Sequence, residues 1–199
     1  SGHPGIEHLD HRLADPIHLN DIQPVLTDSR YWKQGDIFLS LRHQSMIILY
    51  RPSTNKILWQ GVGHTSFQHD VNILDDHRIS IFDNNFEKSI TAELINKNIR
   101  VVIYDFETNS YSKYLDESLK DNEVRTPGEG RSQILDNGDL FIEETEHGRT
   151  LYFNKDKSLQ WQHVNRSKNG KVNAIAWSRI LHKPKDIKKV QHILSTSKN

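Results

Sequence analysis

Short runs of apolar or alternating residues, separated by turn-forming residues, recur along most of the chain. Runs such as residues 37–41 and 46–50 are rich in β-branched and aromatic side chains, which favour pleated strands. The turn residues Asn137 and Gly138 are a strong hairpin signal because both residue types tolerate a positive φ. The pattern therefore predicts an all-β protein built from short antiparallel strands.

These runs are organised in three repeats of four. The repeats cover residues 20–60, 69–114 and 132–162. A repeated four-strand unit is typical of β-propeller blades, although a β-sandwich also has short strands at even spacing. We predict blades of four antiparallel strands, with three to four blades present, since residues 172–177 could begin a fourth.

The stretches outside the repeats divide the chain. Residues 1–14 fit a linker or the cut end of a longer chain, residues 15–178 a partial propeller, and residues 179–199 a C-terminal tail that could include a short helix. Propellers usually have four to eight blades, and an open ring leaves unpaired edges. The pattern therefore also predicts self-association, or missing blades supplied by the rest of the protein.

The amino-acid composition narrows the range of possible functions. The 26 basic and 26 acidic residues balance, which argues against a generally basic nucleic-acid binder, and no apolar run is long enough to predict a transmembrane segment. The absence of cysteine excludes thiolate chemistry, whereas 12 histidines make imidazole chemistry the main candidate. The histidine spacings match no zinc motif, so neither a metal site nor a cofactor is predicted.

The start of each innermost strand is the first place to look for a site, because these positions converge on the channel of a propeller. They carry His18 and Asn20 in the first repeat, His69 in the second and Arg131 in the third. Imidazole and guanidinium groups suit an anionic ligand, and a histidine can also act as a nucleophile or as a general acid and base. The alternative is that these polar groups are merely solvated.

A second ring of polar residues follows the second strand of each repeat. It carries Arg42 and His43, then Asp83, then Glu144 and His147. The signs of charge are mixed. Arg42 either binds a ligand or pairs with Asp83 or Glu144 of another blade as a structural ion pair.

Four short motifs together resemble the bacterial arylsulfotransferase family. They are Asp-Pro-Ile-His-Leu-Asn-Asp at 15–21, Ser-Leu-Arg-His-Gln-Ser at 40–45, Gln-His-Asp at 68–70 and Phe-Asp-Asn at 82–84. The resemblance covers residues 15–165 and implies a six-bladed propeller that moves a sulfuryl group between phenols. It also implies the bacterial periplasm, with a membrane tether in the full-length protein as a further option.

The resemblance assigns roles to individual residues. His18 matches a channel histidine in a His-x-Asn motif and His69 one in a Gln-His motif, and both would stabilise charge or move protons. Arg42 and His43 match an Arg-His-Gln segment near the channel.

Two departures from the family pattern concern the sulfate and the nucleophile. The family has a sulfate-binding arginine after its Asp-Asn motif, whereas this chain has Lys88, whose compact ammonium does not reproduce a bidentate fork. The family's nucleophilic histidine lies on the following blade, where His147 is the candidate in this chain.

The sequence thus leads to one main hypothesis with rivals. The main hypothesis is sulfuryl transfer from an aryl sulfate to a phenolic or hydroxyl acceptor. Its catalytic residues would be His18, His69 and His147, and its substrate-binding residues Asn20, Arg42, His43 and Arg131. The first rival is a non-catalytic propeller that binds an anionic small molecule, a sugar or a protein partner. The second is a purely structural piece of a larger protein.

Overall fold

The computed structural model describes residues 15–88 and 93–197. The predicted linker at residues 1–14 lies outside this described part. Within it, no helix has the length and apolar content needed to cross a bilayer.

Three four-stranded antiparallel sheets form the body of the protein. Blade 1 comprises β1 (Leu19–Pro24), β2 (Ile37–Leu41), β3 (Met46–Arg51) and β4 (Lys56–Val62). Blade 2 begins with β5 (His69–Ile73) and β6 (Arg78–Asp83), is interrupted by a hairpin of β7 (Phe86–Lys88) and β8 (Leu94–Asn96), and continues with β9 (Arg100–Asp105) and β10 (Ser110–Tyr114). Blade 3 comprises β11 (Arg131–Ile134), β12 (Leu140–Glu144), β13 (Arg149–Phe153) and β14 (Leu159–Val164).

Two helices lie outside the sheets. The short α1 (Asp116–Asp121) links blades 2 and 3, and α2 (Pro184–Thr196) lies in the predicted C-terminal tail. The all-β prediction, with blades of four antiparallel strands, is confirmed. Residues 172–177 form no strand of a fourth blade; Val172 makes one isolated bridge, to Arg166.

Period-two alternation lets blade 2 pack on both of its faces. On β6 the neighbouring residues Ile81 and Phe82 point to opposite sides, and both are fully buried. Ile81 joins Phe38 and Leu49 in the core between blades 1 and 2, whereas Phe82 joins Ile142 in the core between blades 2 and 3. Each such side chain contributes about 1.5–3 kcal/mol when fully buried, so packing between blades holds the three sheets together.

The innermost strands lie side by side, with β5 in contact with both β1 and β11. Two equivalent aspartates join them. Asp21, at the bulge in β1, accepts the N–H of Val71 at 2.7 Å, and Asp70, at the bulge in β5, accepts the N–H of Ser132 at 2.9 Å. We call this pair the inter-blade aspartates, because each fixes the start of the next blade's innermost strand.

The face of blade 1 that points away from blade 2 is apolar. Ile22, Leu39 and Ile48 lie in register across β1, β2 and β3, and Ile22 is 53% exposed. No other blade of the described structure covers this face. It has the alternating pattern of the packed faces but lacks a neighbouring sheet.

Candidate functional site

The inner ends of the three blades surround a polar cavity of about 170 Å³. The structure brings together four of the residues predicted from the sequence, since His18, Asn20, His69 and Arg131 all line this cavity. They belong to β1, β5 and β11 or immediately precede these strands. Their convergence follows from the blade topology, which places the starts of the three innermost strands around one point.

A hydrogen-bond network fixes the tautomer of His69. Its Nδ1 lies 2.7 Å from Oδ1 of Asn84. The amide nitrogen of Asn84 donates to the carbonyls of Thr126 at 3.1 Å, of Glu129 at 3.0 Å and of Gly128. Because the amide nitrogen is committed as a donor, Oδ1 is the acceptor and His69 Nδ1 carries the proton. The lone pair of the neutral ring is therefore on Nε2.

His69 is also held in its neutral form. Burial lowers the pKa of its imidazole to about 4; hydrogen bonds to Asn84 and to the backbone of Phe67 oppose this shift, and the nearby charge of Arg42 adds to it. Since a hydrogen-bonded asparagine carries no charge, it orients the ring without making it cationic. The result is a neutral imidazole, at the edge of the cavity, with an unprotonated Nε2.

This shift predicts an acid-dependent loss of stability. The pKa of His69 in the folded protein, about 4, lies below the ordinary value of 6.5, so the unfolded chain binds more protons between these pH values. Stability therefore rises with pH through this window and falls on acidification. Between about pH 7 and about pH 4.5, the wild type should lose about 2 kcal/mol more free energy of unfolding than His69→Gln. Urea denaturation followed by tryptophan fluorescence measures the free energy of unfolding of the wild type and of His69→Gln at each pH. If this free energy changed equally with pH in the two proteins, the lowered pKa of His69 would be contradicted.

His18, which lines the cavity, packs against the ring of His43 in a tilted arrangement. Their ring centroids are 4.5 Å apart, and Nδ1 of His18 lies 2.8 Å from a carboxylate oxygen of Asp15. Nδ1 of His43 donates to the backbone carbonyl of Asp15 at 2.7 Å, while Nε2 lies 3.0 Å from Arg42 Nη1. The Arg42 guanidinium also lies over the Phe67 ring. His43 thus contacts His18 and Arg42 contacts His43, and neither Arg42 nor His43 lines the cavity.

Arg131 is fixed by two contacts. Its Nε and Nη2 donate to Oδ1 of Asp70 at 3.1 and 2.9 Å, and the indole of Trp177 lies over the guanidinium with 4.6 Å to the ring centroid. Nη1 is buried and has no hydrogen-bond partner within the described part of the chain. The same is true of Asn20 Oδ1, although the amide nitrogen of Asn20 donates to the carbonyl of Gln68 at 2.8 Å. The cavity thus offers one unused donor and one unused acceptor.

Carboxylates also line the cavity: those of Asp21, Asp70, Glu129 and Glu143. Those of Asp21, Asp70 and Glu143 accept hydrogen bonds from backbone N–H groups, which offset part of their negative charge. Burial raises the pKa of Asp21, against the effect of its bond to the N–H of Val71. An anion in this cavity would therefore depend on Arg131 for its cationic contact.

Of the two alternatives for Arg42, the inter-blade ion pair with Asp83 or Glu144 is not formed. Asp83 pairs with Arg100, whose Nε donates at 2.6 Å, and Glu144 pairs with Arg149, whose Nη2 donates at 3.0 Å. Each pair lies within its own blade, blade 2 for Asp83 and blade 3 for Glu144, and joins directly opposite residues of neighbouring strands. The acidic partners proposed for Arg42 are therefore already engaged.

The structure places His147 away from the cavity. It is an exposed residue of the turn between β12 and β13 and does not belong to the cavity lining. Its predicted catalytic role stays a prediction that this position does not support.

Sequence reasoning missed several residues that shape the site. Asn84 and Asp70 belong to the Phe-Asp-Asn and Gln-His-Asp motifs of the sequence analysis. Their roles, orienting His69 and holding Arg131, are evident only in the folded structure. The sequence does not reveal that Glu143 and Trp177 belong together, because Trp177 lies beyond the third repeat and the contact forms only in the folded chain.

The blades and the cavity at their inner ends define the class: an all-β protein of propeller-type blades with histidine and arginine side chains in the lining of the cavity. The model of the family described as Arylsulfotransferase (ASST) matches residues 2–166, and the chain belongs to this family. A search of curated proteins finds no significant match.

Two solved structures are similar at low identity. Virginiamycin B lyase from Staphylococcus aureus is 9% identical with a TM-score of 0.33, and the match covers 70% of this chain and 58% of the lyase. A protein of unknown function from Bacteroides caccae is 14% identical with a TM-score of 0.33, and the match covers 65% of this chain and 57% of that protein. The chain thus spans less than two thirds of the length of either protein.

Proposed function

We propose that the cavity transfers a sulfuryl group from an aryl sulfate to a phenolic or hydroxyl acceptor, with His69 as the nucleophile. The single observation that carries the proposal is the Asn84–His69 pair, which holds a neutral imidazole with its proton on Nδ1 in a cavity shared with His18 and Arg131. Membership of the arylsulfotransferase family supports the same chemistry.

In the first half-reaction, Nε2 of His69 attacks the sulfur of the aryl sulfate. The S–N bond forms, the S–O bond to the aryl group breaks, and the phenolate leaves with a proton given by His18. Arg131 donates to the sulfuryl oxygens, where a guanidinium stabilises developing charge. Splitting the transfer in two replaces one difficult step by two easier ones.

In the second half-reaction, an acceptor hydroxyl gives its proton to His18 and attacks the same sulfur. The S–N bond breaks and His69 returns to its neutral form. The Nδ1–H bond to Asn84 persists throughout and keeps the ring in position. Asp15, bonded to Nδ1 of His18, orients the second imidazole for both proton transfers.

A complete ring requires further blades. The apolar face of Ile22, Leu39 and Ile48 fits a neighbouring sheet, and propellers usually have four to eight blades. We propose that these blades come from the rest of the protein or from a second copy of this chain. Location in the bacterial periplasm, with or without a membrane tether, remains a proposal that rests on the family resemblance.

A binding module is the second candidate function. The buried, unpartnered Nη1 of Arg131 favours it, because this donor lacks the acceptor that an anionic ligand would supply whether or not a reaction follows.

Turnover of 4-nitrophenyl sulfate in the presence of phenol tests the proposal. We expect phenol-dependent release of 4-nitrophenol, followed by absorbance, and a covalent adduct with the mass of one sulfuryl group when the acceptor is omitted. Calorimetry with the same sulfate ester gives an independent measure of binding. Binding without release would favour the binding module, and a protein that neither binds nor turns over the ester would overturn both functions.

A further inference from the structure

We propose that Trp177 forms an aryl-binding platform at the rim of the cavity, on which the aromatic ring of a sulfate ester or phenol stacks. This inference deepens the proposed function and rests on it for the identity of the substrate. The platform lies outside the part of the chain that the family model matches, residues 2–166. It is therefore a feature of this chain's own return toward the cavity after blade 3.

The chain comes back to the cavity along a segment of residues 173–178, which we call the return segment. Its N–H groups are tied to the body of the protein at successive points. Asn173 donates to the carbonyl of Asn165 at 2.9 Å, and Ile175 donates to the carbonyl of Thr145 at 3.0 Å. These bonds set the path that brings Trp177 to the cavity lining.

A buried carboxylate fixes the end of this segment. Glu143, on β12, is 1% exposed and accepts the N–H of Trp177 at 3.2 Å and the N–H of Ser178. A buried charge is costly unless it is hydrogen-bonded, so these contacts stabilise the carboxylate and the segment together. The backbone of Trp177 is therefore clamped to the sheet that forms one wall of the cavity.

The conformation of Trp177 is unusual for a bulky residue. Its φ is 64°, in the left-handed region that large side chains rarely adopt. Such a conformation persists only where the surroundings enforce it, and it clusters at ligand-binding positions. Here the clamp enforces it, and the result is an indole that is 71% exposed beside a polar cavity.

Arg131 orients the indole from one side. The guanidinium lies 4.6 Å from the ring centroid, within the range of a cation–π contact, and Asp70 holds the guanidinium in turn. With Arg131 on one face and most of the side chain exposed, the opposite face is available for stacking. An aromatic ring placed there lies next to the cavity that contains His69 and Arg131.

The chemistry of this arrangement selects planar aromatic anions. Arg131 provides the cationic group and Trp177 the apolar surface. A ligand therefore needs a negative group to contact Arg131 and a flat ring to stack on Trp177. An alkyl sulfate has the same charge but no ring. The platform should therefore discriminate between two esters that differ only in the group attached to the sulfate.

The test compares binding of 4-nitrophenyl sulfate and methyl sulfate by calorimetry. We expect Trp177→Ala to weaken binding of the aryl ester by about three- to tenfold and to leave methyl sulfate unchanged. Trp177→Phe keeps a flat ring and should retain most of the preference. Trp161→Ala is the matched control, because Trp161 is 43% exposed but stacks on Tyr152 of blade 3, outside the cavity lining.

Binding separates this inference from the catalytic proposal. If the protein never releases 4-nitrophenol but prefers the aryl ester in a Trp177-dependent way, the platform stands and the proposed transfer fails. If Trp177→Ala keeps the full preference, or if the wild type binds the two esters equally, the platform is overturned. Circular dichroism of each variant verifies that the sheets are intact.

Discussion

Replacing His69 by glutamine should abolish sulfuryl transfer, lowering the rate of 4-nitrophenol release by about a thousandfold or more. Glutamine has a similar size, but it offers no lone pair comparable to that of Nε2, so no covalent intermediate forms. The same substitution should remove the sulfuryl adduct seen by mass spectrometry when the acceptor is omitted. Binding of 4-nitrophenyl sulfate should survive, because Arg131 and Trp177 remain in the cavity.

His147→Gln distinguishes the two candidate nucleophiles. It should retain the wild-type rate, since His147 is exposed in the turn between β12 and β13 and does not line the cavity. If His147→Gln stopped transfer while His69→Gln did not, the sequence-based assignment of His147 would be right and the mechanism proposed for His69 wrong.

The strands and the convergence of three site residues could be predicted from the sequence, because they depend only on local strand periodicity and on the repeat. Strand periodicity is local, so the twelve strands of the three blades follow from it. The innermost strands of successive repeats start around the same cavity, and His18, His69 and Arg131 meet because each lies at such a start or directly before it. No contact between distant residues had to be known to predict their convergence.

The errors concern contacts that the repeat does not determine. The partners of Asp83 and Glu144 are cross-strand neighbours, Arg100 and Arg149, and strand register decides these pairs. Register within a blade was the stronger constraint, because directly opposite charges on neighbouring strands meet without any long side-chain reach. The alternative in which Arg42 pairs with Asp83 or Glu144 therefore fails, because each of these carboxylates lies opposite an arginine of its own blade.

The role of Trp177 was inaccessible for a different reason. It depends on the path of the chain after the last strand of blade 3, where no periodic pattern exists. Contacts with residues far earlier in the chain, such as the bond from its N–H to Glu143, 34 residues before it, fix it beside the cavity. A buried glutamate at an inward-facing strand position is a signal that a partner is needed, but the sequence does not say which segment supplies it.

The inter-blade aspartates should differ sharply in their effect on stability, although they occupy equivalent positions of the repeat. Asp70→Ala should lower the free energy of unfolding by about 3–5 kcal/mol, because it leaves the guanidinium of Arg131, 14% exposed, without its carboxylate. It also removes the acceptor of the Ser132 N–H, which joins blades 2 and 3. Removing one partner of a buried pair costs more than the pair itself contributes, since the remaining charge stays buried.

Asp21→Ala is the matched control for this effect. Asp21 accepts the N–H of Val71 but has no arginine within hydrogen-bond distance in the described structure, and burial raises its pKa. Its loss should therefore cost only about 1–2 kcal/mol, the range for one unsatisfied buried donor. Urea denaturation at neutral pH measures both variants. Equal losses would show that the backbone bond between blades, and not the Arg131 pair, provides the stabilisation, whereas a negligible loss for Asp70→Ala would contradict the inter-blade role altogether.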